Sequence, residues 1–275
     1  MKIITKNRFI NKYNLFSFLA MLLLLWISWA FCSYFIEILT MDYYAPDLAI
    51  STKEEASEAR YKFIIGILSW ETYIDSSMNY TVYVFPLFSL IPVIPFCDEL
   101  KGYYSYPYRF RNYNRSLISG ILFRSFISAC ITASVFVVFF SVGNIFMLPQ
   151  LSDIGGYASV LPEGFYHAYP YLFFLFMTFT IYYAVSFTFA LLGCAVALCT
   201  RKKYCVIIIP MLMYIGDAYI IGGSLGLYKY QIFSSVCAFN TIYSTGELFI
   251  PLIPFLLISV LMITVHICRR KCIRW

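Results

Sequence analysis

Six apolar runs, each about as long as a membrane is thick, are separated alternately by basic groups and by acidic or nearly uncharged connections, and this alternation limits the possible folds more than any other feature. About 20 residues at 1.5 Å rise cross the roughly 30 Å of bilayer hydrocarbon as a helix. The runs fall at about 15–36, 81–97, 117–142, 171–200, 204–223 and 248–267. Only 12% of the residues are charged and 61% are hydrophobic, whereas a soluble domain carries about 25% charged residues. An all-α integral membrane protein is expected, with one transmembrane domain over residues 1–275 and six transmembrane helices.

Lys2, Lys6, Arg8 and Lys12 precede the first run, as in a secretory signal. The run is too long for a signal core of roughly 7–15 residues and lacks a small-residue cleavage site, so a retained helix is expected. Pro86, Pro92 and Pro95 break the second run and predict a kink. With the N-terminus cytoplasmic, 16 of the 20 Lys and Arg fall on the inner side, Arg124 included, and 12 of the 14 acids on the outer side. The positive-inside rule therefore selects cytoplasmic N- and C-termini, a cytoplasmic loop at 98–116 and an outer loop at 37–80.

Catalytic chemistry finds little support. His167 and His266 are the only histidines, and no nucleophile elbow, zinc-protease motif or pair of intramembrane carboxylates occurs. No phosphate-binding glycine loop is present, so the chain is not expected to hydrolyse ATP. The nine cysteines show no Cys-x-x-Cys spacing, and no metal site is expected. The net charge of +6 is dispersed between apolar runs, which argues against nucleic acid as a partner.

Two polar-aromatic stretches remain. Residues 98–115 combine Asp98 and Glu99 with Lys101, Arg109, Arg111 and Arg115, interleaved with Tyr103, Tyr104, Tyr106, Tyr108, Phe110 and Tyr113. Such a loop suits either a belt facing anionic membrane lipid or a docking element for a cytoplasmic partner. Residues 222–247 are too apolar for a free loop and carry Gly222, Gly223, Gly226 and Lys229. A seventh span would place the basic C-terminus outside, so a re-entrant hydrophobic segment between spans five and six is expected. Asp217, the one acid inside an apolar run, would lie beneath it and bond freed backbone N–H groups.

With its six spans, inner termini and lack of an ATP site, this layout resembles the ABC-2-type membrane permeases. The motif part of the likeness is Glu99 with Gly102, then Arg109 or Arg111 with Tyr113 before the third span. The resemblance implies the permease subunit of an ATP-driven ABC exporter in a cell membrane, of a kind found in Gram-positive bacteria. ATP and Mg would reside on a separate ATP-binding subunit dimer, leaving this chain without cofactors. Asp98, Glu99, Gly102, Arg109, Arg111, Tyr113 and Arg115 would couple to that ATPase. A second permease chain, identical or related, would complete the pathway, with Asp217, Gly222, Gly223 and Gly226 at its outer gate. The apolar and aromatic walls suit an amphipathic substrate: peptide, antimicrobial peptide, lipid or drug. A membrane sensor, immunity or assembly protein without transport is the alternative.

Overall fold

The computed structural model describes residues 11–42, 52–148, 155–240 and 242–272. Lys2, Lys6, Arg8 and Arg274, which bear on the orientation of the termini, lie outside the described residues. No strand occurs among the described residues, and six helices are long and apolar enough to cross a membrane. These are α1 (Lys12–Cys32), α2 (Trp70–Lys101), α3 (Tyr113–Phe146), α4 (Pro170–Thr200), α5 (Lys203–Ser224) and α6 (Thr245–Arg269). The chain is a multi-pass membrane protein.

Burial orders the bundle. In their most apolar windows, α4 is 83% and α2 67% buried, against 22–28% for α1, α5 and α6. The first pair therefore forms the centre, and the other three flank it. On α1, Ser17, Met21, Leu25 and Ser28 recur every three to four residues and are buried, while Leu15, Leu19, Leu23 and Ile27 are exposed. An apolar residue left outside such a bundle meets lipid, where exposure carries no hydrophobic penalty.

The second span begins at Trp70 and not near Thr81. Glu71 and Asp75 lower the mean hydropathy there, yet Trp70, Tyr73, Ile74 and Met78 share a buried face. Tyr73 stacks on Phe139 with centroids 4.3 Å apart and donates its hydroxyl to the Phe139 carbonyl at 2.9 Å. Trp70 stacks on Phe174 of α4 at 5.3 Å. The apolar stretch before Trp70 instead ends a separate helix, Lys53–Ile67, opened by a reciprocal capping box between Thr52 and Glu55.

Further irregularities shape the remaining spans. A π turn interrupts α4 at Thr178–Tyr182, and the fully buried Tyr157 reaches it from the preceding connection to hydrogen-bond Thr180. Arg201 ends α4 in the left-handed region at φ 54°, so that only Arg201 and Lys202 separate α4 from α5. A second π turn, Ala218–Ser224, ends α5.

Candidate functional site

The sequence places three prolines in α2, and each removes an N–H from the helix ladder. In hydrocarbon the carbonyls they leave must find other donors. Pro86 leaves Val82 without its usual partner, and the Tyr214 hydroxyl of α5 donates to that carbonyl at 2.5 Å. Pro92 does the same to Phe88, and Ser17 of α1 donates there at 2.5 Å. Ser128 of α3 donates to the Ser89 carbonyl at 2.6 Å. The Pro92 carbonyl also accepts Arg124 Nη1 of α3 at 3.2 Å.

One turn of α2 without proline is also bonded from a neighbouring helix. Ser28 of α1 donates to the Ser76 carbonyl at 2.7 Å and accepts the Tyr80 N–H at 3.1 Å, bonding both members of one i, i+4 backbone pair. Side chains from α1, α3 and α5 thus complete the backbone of one broken helix. The break itself is a 3-10 turn, Ile91–Val93, after which the short helix Ile94–Lys101 carries Asp98 and Glu99.

Arg124 is 5% exposed and lies eleven residues into α3. Counted in the sequence with the basic groups of the inner side, it stands within the bundle. Its Nη2 pairs with the Glu99 carboxylate, and its Nη1 holds the Pro92 carbonyl. One guanidinium therefore bonds both the 3-10 break and the short helix beyond it. Asp98, on the same helix, pairs with Lys203 at the start of α5 at 2.7 Å.

The loop beyond divides into an anchored part and a free rim. Tyr104 is buried, stacks on Phe110 at 5.6 Å and directs its hydroxyl to the Ser116 carbonyl at 3.4 Å. A side chain at Gly120 would collide with that hydroxyl, its Cβ only 2.1 Å away. Tyr113 packs edge-on against both Tyr104 and Phe110. Tyr106, Tyr108, Arg109 and Arg111 are exposed, with the Arg109 guanidinium 4.5 Å from the Tyr106 ring centre. Gly102 ends the short helix without a positive φ, so the turn itself does not require glycine.

The other predicted group lies at the far end of α5. Asp217 accepts the Ile232 backbone N–H at 2.7 Å, where the short helix Ile232–Val236 begins. Gly222 abuts Gln231, whose Oε1 would stand 1.9 Å from an added Cβ. Gly226 adopts φ +66°, which favours glycine, and neither it nor Gly223 has a neighbour close enough to touch an added Cβ. Asp217 and Gly222 thus meet the following segment, whereas Gly223 and Gly226 do not. Ile232, Val236 and Ala238 are buried, and Phe233 packs on Tyr83 and Tyr214. Lys229 pairs with Glu247 at 2.5 Å across this segment, a hydrogen bond that raises the Lys229 pKa. Asp217 also lines a cleft of about 460 Å³ between α5 and α6, with Leu212, Met213 and Phe255.

Among the described residues, no group of three or more His, Cys, Asp or Glu could hold a metal. Comparison with known proteins finds no matching family model, no matching curated protein and no matching solved structure.

Proposed function

We propose that this chain is the membrane-spanning permease subunit of an ATP-driven exporter of the ABC-2 type. In this reading it works in a bacterial cell membrane, paired with a second permease chain and powered by a separate ATP-binding subunit dimer. Loop 98–116 is the coupling element. Tyr106, Tyr108, Arg109 and Arg111 supply exposed aromatic and basic contact area, and the Tyr104–Phe110–Tyr113 cluster keeps their base rigid. Tyrosine and arginine are residues that protein interfaces favour.

The Arg124 connection carries this reading. A push on the loop moves the short helix Ile94–Lys101, whose Glu99 holds Arg124. Arg124 also holds the Pro92 carbonyl, so movement of the loop reaches the break in α2 directly. The break lets the inner piece of α2 turn against Trp70–Leu90 without opening the bundle. Segment 222–247 forms the re-entrant outer cap of a pathway between two permease chains, closed by the Asp217 hydrogen bond. An amphipathic substrate suits the apolar cleft beside Asp217.

Co-purification tests the assignment. A soluble ATPase should accompany the wild-type chain and be lost from Arg111→Glu, with membrane insertion unchanged. Failure to recover any ATPase would favour a sensor, immunity or assembly role. Orientation is checked by cysteine labelling on a cysteine-free background: Glu54→Cys should react from outside and Lys202→Cys only after permeabilisation.

A further inference from the structure

A groove runs along the outer side of α3 and α4. Its first part, a cavity of about 800 Å³, extends on α3 from Arg115 through Ile118 and Leu122 to Phe126, with Phe187 contributed by α4. Its second part, about 430 Å³, continues from Phe126 past Cys130 to Val137, walled by Phe179 and Tyr183 of α4. Ile118, Leu122, Phe126 and Phe179 are exposed large side chains along this line.

We infer that the Arg115 end of this groove binds one anionic glycerophospholipid, with the phosphate on Arg115 and an acyl chain laid between α3 and α4. Three observations choose this occupant. Arg115 is exposed at the mouth of a cavity whose only other polar lining residue is Ser119, and basic pockets between membrane helices recruit acidic lipid headgroups. Arg115 to Phe126 is eleven residues, about 16 Å of helix, or half of the roughly 30 Å hydrocarbon core. The first cavity therefore has the depth of one leaflet. Beside Ser119 its walls are the large side chains Ile118, Leu122, Phe123, Phe126 and Phe187, whereas helices that pack in membranes meet mainly through small residues. A flexible chain fills such a trough more readily than a second helix. The inference rests on the groove and does not depend on the exporter reading.

The test is native mass spectrometry of the full chain in detergent with equal amounts of phosphatidylglycerol and phosphatidylcholine. The wild type should retain phosphatidylglycerol with about fivefold preference, the worth of one arginine at a charged surface. Arg115→Gln should abolish the preference and Arg111→Gln should leave it intact, each with an unchanged unfolding midpoint. Leu122→Trp, which fills the trough and keeps the charge, should lower retention of both lipids. Equal retention of the two lipids by wild type would overturn the proposal, as would a preference that survives Arg115→Gln. Lipid retention unchanged in Leu122→Trp together with loss of a dimer would also overturn it, identifying the groove as a contact between copies.

Discussion

Arg124 and Glu99 form an ion pair between α3 and the last turns of α2, and the same guanidinium donates to the carbonyl of Pro92 at 3.2 Å. Removing one member of a buried pair leaves an uncompensated charge and costs about 3–5 kcal/mol, whereas replacing both with apolar residues is often neutral. Glu99→Leu and Arg124→Met should therefore each destabilise strongly. The double substitution should cost less than the two singles added. Unfolding in mixed detergent measures this, and additive losses would show that the pair is not coupled.

A second cycle isolates the donor at Pro86. Tyr214→Phe deletes the hydroxyl that serves the Val82 carbonyl and should cost about 1–3 kcal/mol, the penalty for a buried unsatisfied group. In a Pro86→Ala background the helix regains its own N–H for that carbonyl. Tyr214→Phe should then cost markedly less. The same loss in both backgrounds would mean that Tyr214 stabilises by packing alone.

These two pairs also mark what can be read from the chain. The six spans are legible because periodic burial is unnecessary for a helix that faces lipid, so hydropathy alone finds it. The start of α2 is not, because Glu71 and Asp75 dilute an apolar face that only neighbours at Phe139 and Phe174 make buried. Arg124 carried a usable signal: an arginine inside an apolar run needs a partner, and Glu99 is an acid at the end of the adjacent run. The prolines announce that carbonyls will be orphaned. That Tyr214 and Ser17 answer two of them depends on how the helices cross, which no local pattern encodes. Asp217 was identifiable as the acid within a span, but its bond to Ile232 depends on how the chain fifteen residues later packs against α5.

Cys237 offers a readout of the segment that follows α5. Burial pushes its thiol up to about 12. A raised thiol pKa leaves far less thiolate at pH 8 than the roughly one quarter carried by a free cysteine near 8.5. With Cys237 as the sole cysteine, iodoacetamide should react well over tenfold more slowly in the native protein than in denaturant. A native rate within tenfold of the denatured one would show that the segment does not pack as described.

The same segment is tied to α5 at two adjacent points, and they should respond differently. Asp217→Ala leaves the Ile232 N–H without its acceptor, whereas Asp217→Asn retains an oxygen in the same place. Losing one such bond costs about 1–3 kcal/mol, so amides of Ile232–Val236 should exchange roughly ten- to hundredfold faster in the alanine variant. Exchange in the asparagine variant should rise much less. Gly222→Leu acts by volume: its Cβ would stand 1.9 Å from Gln231 Oε1, the end of a flexible side chain that can swing aside. It should displace Gln231 and loosen the start of the helix while leaving the Asp217 bond available. Gly226→Leu instead places a side chain at φ +66° in open space, so strain and not collision would act there, at about 1–2 kcal/mol. If the segment caps an export pathway, both leucine variants should lose transport while still assembling with their partners. Normal transport in both, alongside the predicted exchange changes, would leave the packing intact and remove the cap from the pathway.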